Sequence, residues 1–210
     1  GNFFRDLIDS GVVNVFRLTQ IFRQGMGSQI IDFSHAINRG EVPNIETPLL
    51  NASLWTTKET DCLFIDSGFK DPSVPKDQIP PWLSLRYGFD VIEMIIEVYK
   101  NTIPRYYNHP KDIQVLIPMK KGPLGSIEVN KRLQEALNPK TSGVYELKVR
   151  DVIFRENDKV IQTVNNYDLN VFNGDVGRIV AINEEKGIVS ISYDDNIITY
   201  ERPDLLDLDL

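Results

Sequence analysis

The sequence has 210 residues, of which 41% are apolar and 25% charged, and it carries a formal net charge of −7. That balance belongs to an ordinary globular chain with room for a real core in one large domain or two modest ones. It excludes a bilayer-spanning run and, with one cysteine and two histidines, an internal disulfide, a zinc site or a Cys-His catalytic pair.

Charge is unevenly placed. Residues 151–210 hold 5 basic and 13 acidic side chains, whereas residues 100–159 hold 12 basic and 7 acidic. Affinity for polyphosphate rests on counterion release by Lys and Arg, so any nucleic-acid contact is expected to be local and in the central third.

Phe3–Ser10 reads as a short helix with Gly11 as its C-cap, and Val12–Leu18 alternates like a strand. Thr19 to Gln24 leads into a flexible Gly25-Met26-Gly27. Ser28 is then a good N-cap for a helix over Gln29–Asn38 with Ile30, Ile31, Phe33 and Ile37 on one stripe, and Gly40 ends it. An Arg-Gln pair in a glycine-flanked loop ahead of a helix is a phosphate-facing arrangement, although a surface salt bridge is the commoner use of such an arginine. Residues 41–83 are proline-rich and polar, with a strand expected at Asp61–Ser67 that places Cys62 in a buried apolar run of a reducing compartment. Tyr87–Tyr99 is the best helical pattern, and Pro104 should end it.

Ile113–Ile117 is a continuous apolar run of the kind found in a central parallel strand. The loop Pro118–Ser126 and a helix over Ile127–Leu137 follow, completing an α/β unit whose ligands would lie at the strand's carboxyl end. Lys120 and Lys121 precede the glycines of this loop, the reverse of a Walker A order, so nucleotide binding there is rejected. A nucleic-acid backbone suits these lysines better; a solvated charge pair is the plain alternative.

From Asp151 the pattern changes to short strands at Lys159–Val164, Val176–Ile182, Ile188–Tyr193 and Ile197–Glu201, which predict a small antiparallel barrel. Within it Asn165, Asn166, Tyr167 and Asp168 form a loop rich in amides with one phenol, and Asn173-Gly174 is a tight-turn pair. Such groups can hydrogen-bond phosphates or bases and an aromatic ring can stack, or the loop is simply a polar hairpin. The amphipathic start at Gly1 and the Leu-acid alternation up to Leu210 suggest an internal piece of a longer chain.

Four collinear blocks carry a family resemblance: L-T-Q-I-F-R-Q (18–24) with S-Q-I-I-D-F-S-H-A-I-N-R-G (28–40); Q-V-L-I-P-M-K-K-G-P-L-G (114–125) with N-K-R-L-Q-E-A-L-N-P (130–139); F-R-E-N-D-K-V-I-Q-T-V-N-N-Y-D-L-N-V-F-N-G-D-V-G (154–177); and the closing strands. Together they make the sequence resemble the RecD/TraA family of superfamily 1 DNA helicases, specifically the stand-alone RecD-like branch, which is akin to the exodeoxyribonuclease V alpha subunit.

The resemblance implies an α/β fold: residues 1–150 as part of a RecA-like second motor domain with a parallel sheet, and residues 151–210 as an inserted SH3-like antiparallel barrel. It implies an ATP-dependent 5′-to-3′ DNA helicase of the bacterial cytoplasm, acting in DNA repair or recombination. Arg23 would reach ATP bound on the first motor domain, with Gln20 and Gln24 nearby, and would stabilise charge on the transferring phosphoryl group. Met119, Lys120, Lys121, Asn165, Asn166, Tyr167 and Asn173 would lie along single-stranded DNA. ATP and Mg2+ would be held mainly by the first motor domain. The sequence contains no Walker A lysine, Walker B carboxylates or coupling glutamine, so this stretch alone should not hydrolyse ATP. A non-motor protein- or RNA-binding module is the competing expectation, favoured by the acidic charge of 151–210.

Overall fold

The structure, a computed structural model, describes residues 2–17, 27–48, 51–57, 60–66, 91–107, 113–194 and 196–210. The chain falls into two compact units, Gly1–Asp71 and Pro72–Leu210.

In the first unit, helix α1 spans Phe3–Asp9 and α2 spans Gln29–Asn38. Gly11 adopts φ +66° just beyond α1, and Gly40 adopts φ +81° after α2. The Gly40 and Glu41 amides turn back to the carbonyls of Ile37 and Ala36, closing a Schellman-type end. Ser28 is the N-cap of α2, but its own side chain does not cap. The Asp61 carboxylate does so, accepting from the Gln29 amide at 2.9 Å and from the Ser28 hydroxyl at 2.6 Å. A negative group at that end also suits the helix dipole. The strands expected at 12–18 and 61–67 are not formed among the described residues. Residues 12–17 find no ladder partner there, and Val12 and Phe16 stand exposed. The Phe64 amide makes a single bond to the Glu46 carbonyl at 2.9 Å. An extended run becomes a strand only when a neighbour pairs with it.

In the second unit, α3 covers Val91–Glu97, a π-helical stretch covers Val98–Thr102, and α4 covers Ile103–Tyr106. Pro104 therefore does not end the helix as expected. The widened turn ahead of it accommodates the missing N–H, and the chain becomes extended at Tyr107. Helix α5 spans Ser126–Leu137 and buries Val129 and Leu133. Ile92 joins them in a small core, with Ile95, Ile96, Tyr99, Val115, Ile117 and Leu124 packed against it. Ile113–Ile117 thus contributes side chains to this core, yet its backbone pairs with no strand among the described residues. All ladders there are antiparallel.

The remaining strands are β1 (Glu146–Val149), β2 (Val152–Arg155), β3 (Lys159–Gln162), β4 (Val176–Asn183), β5 (Ile188–Tyr193), β6 (Asn196–Tyr200) and β7 (Leu208–Asp209). β1 and β2 form a two-stranded sheet, and the others form one sheet in the order β6-β5-β4-β3-β7. Leu147 and Phe154 from the small sheet share a core with Val160, Ile179, Ile182, Val189, Ile191 and Tyr200. Leu205 and Leu208 close that core from the last turn and β7. The expected barrel is corrected here: the five-stranded sheet is open. β7 has two residues and pairs with β3, β6 pairs with β5, and among the described residues no ladder joins the two edges.

Alternation in β4 and β5 follows the pleat, with Gly177, Ile179, Val189 and Ile191 buried. Gly177 has a packing reason: a Cβ there would lie 2.6 Å from Ile191 Cγ2 and 2.9 Å from Tyr193 Cε1.

Candidate nucleic-acid interface

Two loops of the second unit carry the groups expected to meet DNA. The first, Pro118–Gly125, joins the extended run to α5. It folds back on the helix start: Gly125, Ser126 and Ile127 donate their amides to the carbonyls of Gly122, Met119 and Lys120 at 3.0, 2.9 and 3.4 Å. A side chain at Gly125 would strike Lys120 O and Lys121 C, both 2.6 Å from its Cβ position, so glycine lets the loop lie this close. Gly122 takes φ +100° at the tip.

With those three amides turned onto the loop's own carbonyls, the helix start offers no nest of N–H groups to a triphosphate. The residues present do not fit a nucleotide here. What the loop does offer is side chains: Met119, Lys120 and Lys121 are all exposed.

The second loop lies between β3 and β4. Asn166 and Val171 exchange both backbone hydrogen bonds, at 2.8 and 3.0 Å, closing a small ring of chain. Inside it the Asn166 Oδ1 accepts from the Leu169 amide at 3.0 Å, and Asn170 takes φ +55°. Asn165 Oδ1 accepts from the Asn173 amide at 2.8 Å, bracing the tight turn at Asn173-Gly174. The Gly174 amide in turn bonds the Gln162 carbonyl at 2.8 Å, and Gly174 has φ +100°. Asn165 and Asn166 therefore spend their carbonyl oxygens on shaping the loop.

Tyr167 is 76% exposed, with its ring edge-on to Phe172 at 6.0 Å between centroids and 78° between planes. Its hydroxyl receives only a long bond from Asn165 Nδ2 at 3.4 Å. The loop thus presents an aromatic ring on a braced frame. Phe172, half exposed, is the partner that orients the ring. The signal for it was an aromatic five positions on, across a loop closed by polar residues.

Beneath this loop a buried polar chain fixes β3. Gln162 is fully buried; its Oε1 accepts from the Tyr200 hydroxyl at 2.9 Å and its Nε2 donates to Val164 O at 2.8 Å. Tyr200 and Tyr193 hydroxyls meet at 2.9 Å. Burial raises both phenol pKa values, so both stay neutral.

A second cluster ties α5 to the sheets. Arg155 is buried; its Nε donates to Glu146 Oε1 at 2.7 Å, its Nη2 to Glu135 Oε1 at 2.8 Å, and its Nη1 to the Asn138 carbonyl. Buried Asp158 accepts from Gln134 Nε2, Asn138 Nδ2 and the Arg155 amide at 2.5, 2.8 and 2.7 Å. Burial pushes the Asp158 pKa up against the pull of those donors. Glu146 is held below the usual range, chiefly by Lys140, with Arg155 adding to the effect. The clamp draws on two of the sequence blocks and on Glu146 between them, yet nothing in their spacing showed that Arg155 would be buried.

Gln20, Arg23 and Gln24 lie outside the described residues. Among the described residues, no group of three His, Cys, Asp or Glu could hold a metal ion, and no helix is long and apolar enough to cross a membrane.

Residues 129–193 match the family described as "ATP-dependent RecD-like DNA helicase SH3 domain". Over 194 residues, 92% of this chain, the sequence is 27% identical to the ATP-dependent RecD2 DNA helicase of Deinococcus radiodurans. The aligned part is 21% of that relative, so the chain spans about a fifth of its length. The match to the SH3 family begins within α5, so the helix clamped by Arg155 is part of what is matched. The resemblance carried by the four sequence blocks therefore holds: the chain is similar to a RecD-type DNA helicase, and the part from α5 through β5 matches an SH3 domain of that kind.

Proposed function

We propose that this chain is part of the motor of an ATP-dependent 5′-to-3′ DNA helicase. Residues up to about 150 contribute to a RecA-like second motor domain, and the following residues form its SH3-like insertion. The observation that carries this reading is a likeness to a DNA helicase that runs along 92% of the chain. The exposed lysine loop and the braced Tyr167 loop support it, since they supply the two things a single strand offers to bind: phosphates and base faces.

In this reading Lys120 and Lys121 meet the backbone of the strand, with Met119 beside them. Tyr167 stacks on a base while Asn165, Asn166 and Asn173 hold its loop in shape. Arg23, flanked by Gln20 and Gln24, supplies a guanidinium to the phosphates of an ATP held with Mg2+ by another part of the longer protein. That protein works in the bacterial cytoplasm on DNA under repair or recombination. The test is DNA-stimulated ATP hydrolysis by the longer protein with Arg23→Ala. Loss of turnover by two or more orders of magnitude is expected, given the size of such arginine effects. Undiminished turnover removes Arg23 from the role.

A non-motor binding module remains the second reading, favoured by the 13 acidic against 5 basic side chains in 151–210, which repel DNA. DNA-stimulated turnover by the longer protein decides between the two.

A further inference from the structure

Strand β6 is the outer strand of the five-stranded sheet and, among the described residues, is paired with β5 alone. In an antiparallel pair every second residue turns its N–H and C=O away from the partner, so an edge strand displays a row of such groups. Natural edges are blunted by lysine, proline, a bulge or extreme shortness. The opposite edge, β7, is two residues long and includes Asp209. β6 has none of these protections: Asn196-Ile197-Ile198-Thr199-Tyr200 is five residues, uncharged and β-branched. Its register with β5 runs without a bulge from Tyr193↔Asn196 to Val189↔Tyr200.

Two further observations bear on what would pair with it. Ile197 is 68% exposed, and β6 borders a groove of about 530 Å³ whose lining includes Leu169, Val176, Ile197 and Ile198 with the carboxylates of Asp175 and Asp194. The domain around it is acidic, with 13 acidic and 5 basic side chains in 151–210. A groove that mixes aliphatic side chains with carboxylates and amides, beside an open strand and set in negative charge, complements an extended segment that alternates apolar and basic residues. It opposes a nucleic acid.

We propose that β6 is a docking edge for an extended basic segment of a protein partner, which adds to the sheet as a sixth strand. Main-chain bonds to β6 supply general affinity, an apolar side chain of the segment enters the groove beside Ile197 and Ile198, and its Lys or Arg residues face Asp194 and the surrounding acids. This surface differs in charge from the lysine loop and borders the Tyr167 loop through Leu169 and Val171, and it does not depend on the helicase reading.

The test titrates the 210-residue chain with a fluorescent nine-residue Lys-Val alternating peptide, and with its Glu-Val counterpart, while backbone amide shifts are mapped. Saturable binding of the Lys-Val peptide is expected, at least tenfold tighter than the Glu-Val peptide, weakened by added salt, with shifts centred on residues 196–200. Ile197→Thr keeps β-branching and Asp194→Asn keeps a residue suited to the φ of +46° found there; each should weaken the Lys-Val peptide at least threefold. Equal binding of both peptides, shifts centred elsewhere, or no effect of either variant overturns the proposal. Displacement of the peptide by oligothymidylate overturns it as well, by making the surface a nucleic-acid site. Should Ile197→Thr lose its strand signal in circular dichroism, Asp194→Asn and the shift map decide the matter.

Discussion

Arg155, at the end of β2, donates from Nε to Glu146 of β1 at 2.7 Å while its Nη2 and Nη1 reach Glu135 and the Asn138 carbonyl at the end of α5. One guanidinium thus joins the small sheet to the helix that leads into it. Its side chain is 3% exposed and that of Glu146 14%, so this is a buried pair whose partners depend on each other. Removing one member of such a pair costs about 3–5 kcal/mol. Arg155→Ala should therefore unfold at markedly lower denaturant concentration, with Glu146 left to the exposed Lys140 alone. Arg155→Ala combined with Glu146→Gln should recover part of that loss. Urea midpoints of the three proteins check both statements.

The same clamp predicts an acid response. Glu146 has a folded-state pKa below its ordinary 4.5, held down first by Lys140 and then by Arg155. A depressed carboxylate contributes stability that is present above the unfolded value and is lost as pH falls through the folded one. The chain should lose stability as pH drops below about 4.5, and Glu146→Gln should lose less over that window. Asp158 works in the opposite sense: burial raises its pKa, so its contribution is greatest at low pH and falls as pH rises from its ordinary 3.8 through the raised value. Asp158→Asn should flatten that part of the profile. Denaturant midpoints at several pH values separate the two.

Gly177 is the tightest spot of the sheet. A Cβ 2.6 Å from Ile191 Cγ2 cannot be accepted without moving β4 from β5. Gly177→Ala should destabilise by about 1–3 kcal/mol, the usual range for overpacking. A melting temperature within experimental error of the parent would show that the strands can separate at no cost.

Tyr167 makes the opposite kind of prediction, a change in binding without a change in stability. Its ring is largely exposed, so Tyr167→Ala should leave the folding free energy within about 0.5 kcal/mol. Base stacking is worth about 1–3 kcal/mol per base, so single-stranded DNA should bind about tenfold more weakly. Tyr167→Phe should retain most of the affinity, because the ring and its contact with Phe172 remain. Fluorescence anisotropy with an oligothymidylate reads the two affinities, and urea unfolding reads the stability.

Parts of this architecture were legible because they rest on local signals. Period-two patterns found β4 and β5 nearly to the residue, and glycines marked the ends of α1 and α2. The stripe on α5 and the Asn173-Gly174 turn were likewise plain. What depends on distant partners was not. Ser28 read as a cap, but Asp61, 33 positions away, supplies the capping oxygen. Ile113–Ile117 read as a strand, and its side chains do join a core, but a ladder needs neighbours that composition does not name. A closed barrel and an open sheet share the same alternation, and only the pairing or separation of the edges β6 and β7 distinguishes them. The amides of Asn165 and Asn166 were noticed as binding groups, whereas the geometry turns their oxygens inward to hold the loop. Arg155 gave no sign of burial, since a lone arginine in a polar block reads as surface.

The most direct test of the helicase account is the salt dependence of single-stranded DNA binding by the longer protein, with and without the double substitution Lys120→Ala and Lys121→Ala. Each lost phosphate contact removes about 0.7 from the slope of log affinity against log salt for a single strand. The account predicts a slope shallower by about 1.4 and weaker binding at low salt. An unchanged slope would contradict it, since the exposed lysine loop would then not lie on the path of the DNA.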